Sequence, residues 1–428
     1  MSSKKIFPMN NIAGQITVPG DKSITHRAIL LSAIASGCSE ITNYANGKDC
    51  LSTLQLVQDL GVNVEQSSEQ LRIYGVGKYG LKNPLNALDC GNSGTTMRLA
   101  MGLLSGANIT CKLVGDSSLS TRPMMRVARP LQQMGAQIIL KNAQTAPVSI
   151  LEQQKLEGIC YRMPIASAQV KSAILLAGLY AQTPTTIIES IITRNHTETL
   201  FSMFGVTCTH SNNQINLPIT QVLKATNIII PGDFSSAAFW LVAGLIIEKS
   251  SLNLMQVGLN PTRTGLLQIL QLMGANIEIE MTHQHPEPVG NIYVRTSKLN
   301  NITIPAHLIS LAIDEFPILF VAAAYAKGTT EIRGLAELRV KETDRISAMV
   351  NNLTALGVKI VELDDGVIIE GGAIRGGTVD SFGDHRIAMA MCIAGLVANS
   401  PVTITNIDVV NISYPNFFKT LDRLKHEC

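Results

Sequence analysis

Short polar motifs that set a cation beside a helix-capping residue recur along the chain. They are Gly20-Asp21-Lys22-Ser23 with Arg27, Gly91-Asn92-Ser93-Gly94 with Arg98, Ala166-Ser167-Ala168-Gln169 with Lys171, and Gly383-Asp384-His385-Arg386. Asp21, Ser23, Asn92, Ser167, Asp233 and Asp384 are good N-cap types, and a helix N-terminus presents unpaired N–H groups and partial positive charge. Such ends hold phosphates and carboxylates. A single cap is ordinary helix termination. The neighbouring cation is what points the set toward anions, because a charge near a protein interior needs an opposite partner. Ser23 and Arg27, Ser167 and Lys171, and Lys341 and Arg345 are each four residues apart, which predicts that each pair shares a helix face.

A further cation, Arg122, stands in the loop Ser117-Ser118-Leu119-Ser120-Thr121-Arg122-Pro123, before a proline that stiffens the backbone. Its planar guanidinium suits bidentate hydrogen bonding to a phosphate or carboxylate. The acid/base candidates are Asp314, at the start of an apolar helix, Glu342, between Lys341 and Asp344-Arg345, and Lys22. A carboxylate ringed by cations stays ionised and can take a proton; a lysine among anions stays protonated and can give one.

These residues need a scaffold, and a repeat supplies it. Each motif starts an apolar, small-residue helix that ends at a turn and enters a β-rich run. The six copies begin near Gly20, Gly91, Ala166, Gly232, Ile313 and Gly383, spaced by roughly 70 residues. The stretches Ala28–Ala35, Ala173–Leu179 and Ala388–Ala394 are apolar nearly all round, as buried helices are. Leu60-Gly61-Val62, Met134-Gly135-Ala136, Phe204-Gly205-Val206, Met273-Gly274-Ala275 and Leu356-Gly357-Val358 place glycine where a helix C-cap turns left-handed. Six α/β units imply two pseudo-symmetric halves of three, with joints near Gly20 and Gly232. The expected domains are residues 1–20 with 232–428, discontinuous in sequence, and 21–231 inserted between them, with a hinge at the two crossings. The first strand, Gly14 to Pro19, would then pair with the C-terminal half.

Composition excludes several classes. The 34 basic and 32 acidic residues leave a net charge of +2, and aromatic residues make up 4%, so no basic, aromatic-rich footprint for nucleic acid is present. The opening segment has basic residues but no secretory apolar stretch, and the longest apolar run, Ala237–Ile247, is about half the roughly 20 residues that cross a bilayer. It reads as a buried helix. Cys38, Cys50, Cys90, Cys111, Cys160, Cys208, Cys392 and Cys428 form neither a CxxC pair nor a zinc-like cluster, which fits buried or incidental thiols in a reducing cytoplasm.

Taken together, Gly20–Arg27, Leu88–Arg98, Arg339-Val340-Lys341-Glu342-Thr343-Asp344-Arg345 and Gly383–Met389 resemble the 5-enolpyruvylshikimate-3-phosphate synthases, in family order from about Gly14 to Pro415. The resemblance implies an α/β fold of two inside-out α/β barrel domains, each of three repeated units with helices inside, closing like a clamp on an interdomain active site. It implies transfer of the enolpyruvyl group of phosphoenolpyruvate to the 5-hydroxyl of shikimate 3-phosphate, in the shikimate pathway to chorismate and aromatic amino acids. No cofactor and no metal are expected, nor a nucleic-acid or membrane partner; a cytoplasmic monomer is. By the same resemblance, shikimate 3-phosphate is held by Lys22, Ser23, Arg27, Ser167, Gln169, Arg194, Asp314 and Lys341. Phosphoenolpyruvate is held by Lys22, the Gly94 backbone, Arg122, Gln169, Arg345 and Arg386. Asp314 is the base for the hydroxyl, Glu342 a proton relay at the methyl carbon, and Lys22 an acid or electrostatic stabiliser.

Two departures from the family pattern stand out. Glu337 occupies a position where many relatives have asparagine, and Asp408-Val409-Val410-Asn411 lacks the lysine some relatives place there. Arg194-Asn195-His196-Thr197-Glu198 resembles the branch in which the arginine serves the substrate phosphate. The related transferases that act on UDP-N-acetylglucosamine place a cysteine five residues before the loop Arg-Pro, where this chain has Ser117. RNA 3′-phosphate cyclases share a related repeated unit, but the balanced charge argues against an RNA partner.

Overall fold

The polar residue before each apolar run acts first on the local backbone, by capping a helix. The structure, a computed structural model, describes residues 2–153, 155–219 and 222–426, so the thiol reading of Cys428 lies outside the described residues. Residues 20–230 form one compact unit and residues 1–19 with 231–428 another.

In the unit 20–230 the helices are α1 (Lys22–Ile34), α2 (Lys48–Asp59), α3 (Gly94–Gly106), α4 (Met125–Gln133), α5 (Ala168–Gly178) and α6 (His196–Met203). Asp21 accepts the Ile24 N–H at 2.8 Å, Ser93 the Thr96 N–H at 3.1 Å and Ser167 the Val170 N–H at 3.4 Å, each satisfying an otherwise unpaired first-turn donor. With so few polar side chains beyond the first turn, α1, α3 and α5 are buried almost throughout. α3 packs on both α1 and α5. The approach to α5 is close enough that a Cβ on Gly102 would lie 2.1 Å from the Ala173 carbonyl oxygen, so the glycine is required by packing.

Three four-stranded sheets surround these helices, built from strands 228–229, 36–42, 70–76 and 63–66; 88–89, 111–114, 145–150 and 138–141; and 160–162, 185–188, 214–217 and 209–211. In each, the first pair is parallel and the rest antiparallel. A parallel pair needs a crossover connection, which the buried helices α3 and α5 provide in the second and third sheets, whereas in the first sheet strand 228–229, at the far end of the unit, returns to pair with 36–42.

The second unit holds α7 (Phe234–Ile246), α8 (Gly265–Leu272), the single turn α9 (Ala306–Ile309), α10 (Phe316–Tyr325), α11 (Arg345–Ala355), α12 (His385–Leu396) and α13 (Phe417–His426). α7, α10 and α12 pack on one another and are almost wholly buried, so the run Ala237–Ile247 is a core helix. Trp240 of α7 stacks on Phe417 at 5.0 Å and donates its indole N–H to the Tyr414 hydroxyl at 3.2 Å. Ala13–Thr17 pairs in parallel with Ser251–Gly258, within this unit. The glycines expected at helix ends, Gly61, Gly135, Gly205, Gly274 and Gly357, all have positive φ, from 77° to 104°. No helix among the described residues is long and apolar enough to cross a membrane.

Candidate active site

Two clusters carry the predicted residues, one in each unit. In the unit 20–230, Lys22 at the start of α1 makes a 2.9 Å ion pair with Asp49 in the first turn of α2. Arg27, one turn further along α1, is buried and its guanidinium is fully oriented. It donates to the Thr197 hydroxyl at 2.8 Å, the Ser172 hydroxyl at 2.7 Å and the Ser23 carbonyl at 2.8 Å. Gly94 opens α3 beside two guanidinium groups: a Cβ built there would stand 3.1 Å from Arg98 Nη1 and 3.4 Å from Arg122 Nη1. Arg98 donates to Gln169 Oε1 at 2.6 Å, and the Gln169 amide donates to the Thr95 hydroxyl at 2.9 Å. Arg122 is positioned by Asn92 Oδ1 at 2.6 Å and the Ser118 hydroxyl at 3.2 Å. Lys22, Arg27, Arg98 and Arg122 bring four cations to the predicted site of this unit, Lys22 paired with Asp49, and the α3 N-terminus adds partial positive charge.

A buried polar chain behind this cluster ties three helix starts together. His26 Nδ1 lies 2.7 Å from the Thr53 hydroxyl, Thr53 2.6 Å from Thr96, and Thr96 donates to Ser93 at 2.7 Å. Burial, reinforced by the charges of Lys22 and Arg27 against those of Asp49 and Asp21, pulls the His26 imidazole down to about 3. The unfolded chain therefore binds a proton between about pH 6.5 and pH 3 that the folded chain refuses, and stability falls as pH falls through that window. At pH 5 this group alone costs about 2 kcal/mol relative to neutral pH. Urea unfolding should show that increment in the wild type and its loss in His26→Asn; an equal acid sensitivity of the two proteins would remove His26 as the cause.

In the other unit Asp314 is the centre. Its carboxylate is 3.4 Å from Lys341 Nζ, 3.5 Å from Arg345 Nη1 and 4.0 Å from Arg263 Nη1. Arg386 donates to the Asp314 carbonyl at 2.9 Å and stands 3.6 Å from the buried Glu315 carboxylate. Arg345, at the first position of α11, donates to Asp384 at 2.7 Å and to Glu342 at 2.6 Å. Burial works against its charge, but the carboxylates of Asp384, Glu342 and Asp314 outweigh this and hold the guanidinium ionised. Among the described residues Arg345 Nη1 meets no hydrogen-bond acceptor, a donor directed toward Asp314 and still available. Asp384 also caps α12 by accepting the Arg386 N–H at 2.7 Å, so one carboxylate places both arginines.

Several sequence expectations change. Lys171 does not face a ligand: its side chain is 0% exposed and is paired with Glu189 and Glu198, because helix α5 turns that face into the core. Lys341 and Arg345 do not share a helix, since Lys341 ends the 3-10 turn Ala336–Val340 and α11 begins only at Arg345. Asn92 orients Arg122 instead of capping α3, a task taken by Ser93, and Ser23 lies inside α1, whose cap is Asp21. Ser167 caps α5 and Arg194 is half-buried ahead of α6. Glu337 lies in the same 3-10 turn that precedes Lys341, and residues 408–411 lie in another, Ile407–Ile412. Asp49, Ser172 and Thr197 are partners that the motifs do not mark; an acidic residue in the first turn of α2 is the available signal for Asp49.

A profile of the family described as EPSP synthase (3-phosphoshikimate 1-carboxyvinyltransferase) matches residues 6–421. The 3-phosphoshikimate 1-carboxyvinyltransferase of Legionella pneumophila strain Philadelphia 1 is 49% identical over 419 residues, covering 97% of this chain and 96% of the relative. That of Methylococcus capsulatus is 48% identical over 412 residues, 96% of this chain and 94% of the relative. The solved EPSP synthase of Acinetobacter baumannii superposes with a TM-score of 0.88 at 44% identity, covering 99% of this chain and 98% of that one. With the six repeated units and the cationic clusters already in view, these matches show that the chain belongs to the EPSP synthase (3-phosphoshikimate 1-carboxyvinyltransferase) family.

Proposed function

We propose that this chain transfers the enolpyruvyl group of phosphoenolpyruvate to the 5-hydroxyl of shikimate 3-phosphate, releasing phosphate. The observation that carries the reading is the carboxylate of Asp314 within 4.0 Å of Lys341, Arg345 and Arg263, an acid/base group set among cations that suit anionic substrates. In the first step the 5-hydroxyl oxygen bonds to C2 of phosphoenolpyruvate, its proton passes to Asp314, and C3 gains a proton. In the second, the C–O bond to phosphate breaks, C3 returns a proton, and the double bond re-forms. Glu342, hydrogen-bonded to Arg345, serves as the relay at C3, and Lys22, paired with Asp49, stabilises the phosphate or protonates it.

Shikimate 3-phosphate is assigned to Lys22, Ser23, Arg27, Ser167, Gln169, Arg194, Asp314 and Lys341, and phosphoenolpyruvate to Lys22, the Gly94 backbone, Arg122, Gln169, Arg345 and Arg386. The near balance of 34 basic and 32 acidic residues favours small molecules over nucleic acid. A cytoplasmic monomer with no membrane partner completes the reading, and a sedimentation mass near 46.1 kDa tests the monomer.

The direct test is phosphate release by the purified, metal-chelated protein given phosphoenolpyruvate with and without shikimate 3-phosphate. Release that needs both is expected, and none with both present would sink the reading. Arg122 gives a sharper one. Buried, and positioned by Asn92 and Ser118, it is proposed to grip phosphoenolpyruvate; Arg122→Ala should weaken that substrate by about 2 kcal/mol or more, leaving shikimate 3-phosphate affinity near wild type. Unchanged apparent affinity for phosphoenolpyruvate would make Arg122 structural.

A further inference from the structure

Lys171 is the buried cation that the active-site reading leaves unused. Its ammonium lies 3.2 Å from Glu189, 2.8 Å from Glu198, and donates to the Thr193 carbonyl at 3.3 Å. Glu189 follows the strand Thr185–Ile188, and Glu198 lies in the first turn of α6. A single ammonium therefore joins the two ends of the loop that carries Arg194. Glu189 adds a second hold: its Oε1 accepts both the N–H of Thr193, at 3.0 Å, and the Thr193 hydroxyl. Every polar group of Thr193, donor and acceptor alike, is thus gripped from the core, while Ile191 and Ile192 beside it are half exposed. The charged contacts of Lys171 and Glu189 thus hold a loop whose Ile191 and Ile192 gain little from burial.

We infer that Lys171 and Glu189 are positioning residues that staple the 189–198 loop so that Arg194, the next residue after Thr193, is presented to the phosphate of shikimate 3-phosphate. This rests on the assignment of Arg194 made above. Two carboxylates on one ammonium are a costly arrangement in a dry interior. A lone pair would satisfy the lysine, whereas the second carboxylate is what reaches Thr193. Lys171 touches no reacting atom in this account and acts through Arg194.

The test is a double-mutant cycle on shikimate 3-phosphate binding, read by calorimetry. Glu189→Ala removes the acceptor for Thr193 yet leaves Lys171 and Glu198 a balanced pair, so the fold is retained. It should weaken shikimate 3-phosphate by about tenfold, with the KM for phosphoenolpyruvate and kcat within about twofold, and Glu189→Gln, which keeps an acceptor, should recover most of the loss. In an Arg194→Ala background the same change should cost less than about twofold. Equal weakening in both backgrounds, or equal loss for both substrates, overturns the inference. Lys171→Met strands two buried carboxylates, and its failure to fold would match their dependence on the ammonium. Hydrogen exchange separates the staple from the functional reading: amides 190–195 should exchange faster in Glu189→Ala, and unchanged exchange overturns the staple. If the wild type binds no shikimate 3-phosphate, the functional assignment fails while the exchange result still decides whether the loop is stapled.

Discussion

Asp314→Asn lowers kcat by about 10³-fold while shikimate 3-phosphate still binds. The substitution keeps the side-chain shape and removes the carboxylate proposed above as the acceptor of the hydroxyl proton. The size follows from the usual contribution of a positioned general base, from about 10² to 10⁴. The direction of the affinity change follows from geometry. Lys341, Arg345 and Arg263 lie 3.4, 3.5 and 4.0 Å from this carboxylate, and each becomes less compensated when it is neutralised. Anionic substrates should accordingly bind no more weakly than to the wild type. Single-turnover rates with calorimetric binding separate the two effects; a variant turning over near the wild-type rate removes Asp314 from the mechanism.

Arg345→Met destabilises the fold by about 3–5 kcal/mol, the second large effect. Arg345 is 2% exposed and its partner Asp384 0%, their charged atoms 2.7 Å apart. Removing the guanidinium takes from the buried Asp384 carboxylate, the N-cap of α12, its 2.7 Å partner, and from Glu342 its 2.6 Å partner at the same time. A lysine does not restore it, because one ammonium lacks the fork that reaches Asp384 through Nε and Glu342 through Nη2. Urea unfolding should show a lower midpoint at unchanged slope. A loss below about 1 kcal/mol would mean that the site relaxes or admits water far more readily than its burial implies.

These two residues show how unevenly the site could be read from sequence. Asp314 is legible as a carboxylate entering an apolar helix, and Arg345 as a cation following Lys341-Glu342. The bond from Arg345 to Asp384 spans 39 residues and joins two repeats, and no local pattern announces it. Lys171 shows the opposite error. Its spacing from Ser167 matches that of Arg27 from Ser23, so the same reasoning assigns both to anions. Arg27 is oriented by the Thr197 and Ser172 hydroxyls and the Ser23 carbonyl, whereas Lys171 lies between two carboxylates.

By itself the sequence determined what is local and periodic: where helices start, because capping needs a short polar side chain; where they stop, because a left-handed turn favours glycine; and which are buried, because they lack a polar face. The same periodicity made the six repeated units countable. Only the tertiary structure decided which cations are compensated and by what, because Coulomb and hydrogen-bond energies depend on distances between residues tens to hundreds of positions apart. That is why Lys22 with Asp49, Arg345 with Asp384, and Lys171 with Glu189 and Glu198 became visible only once the chain was folded.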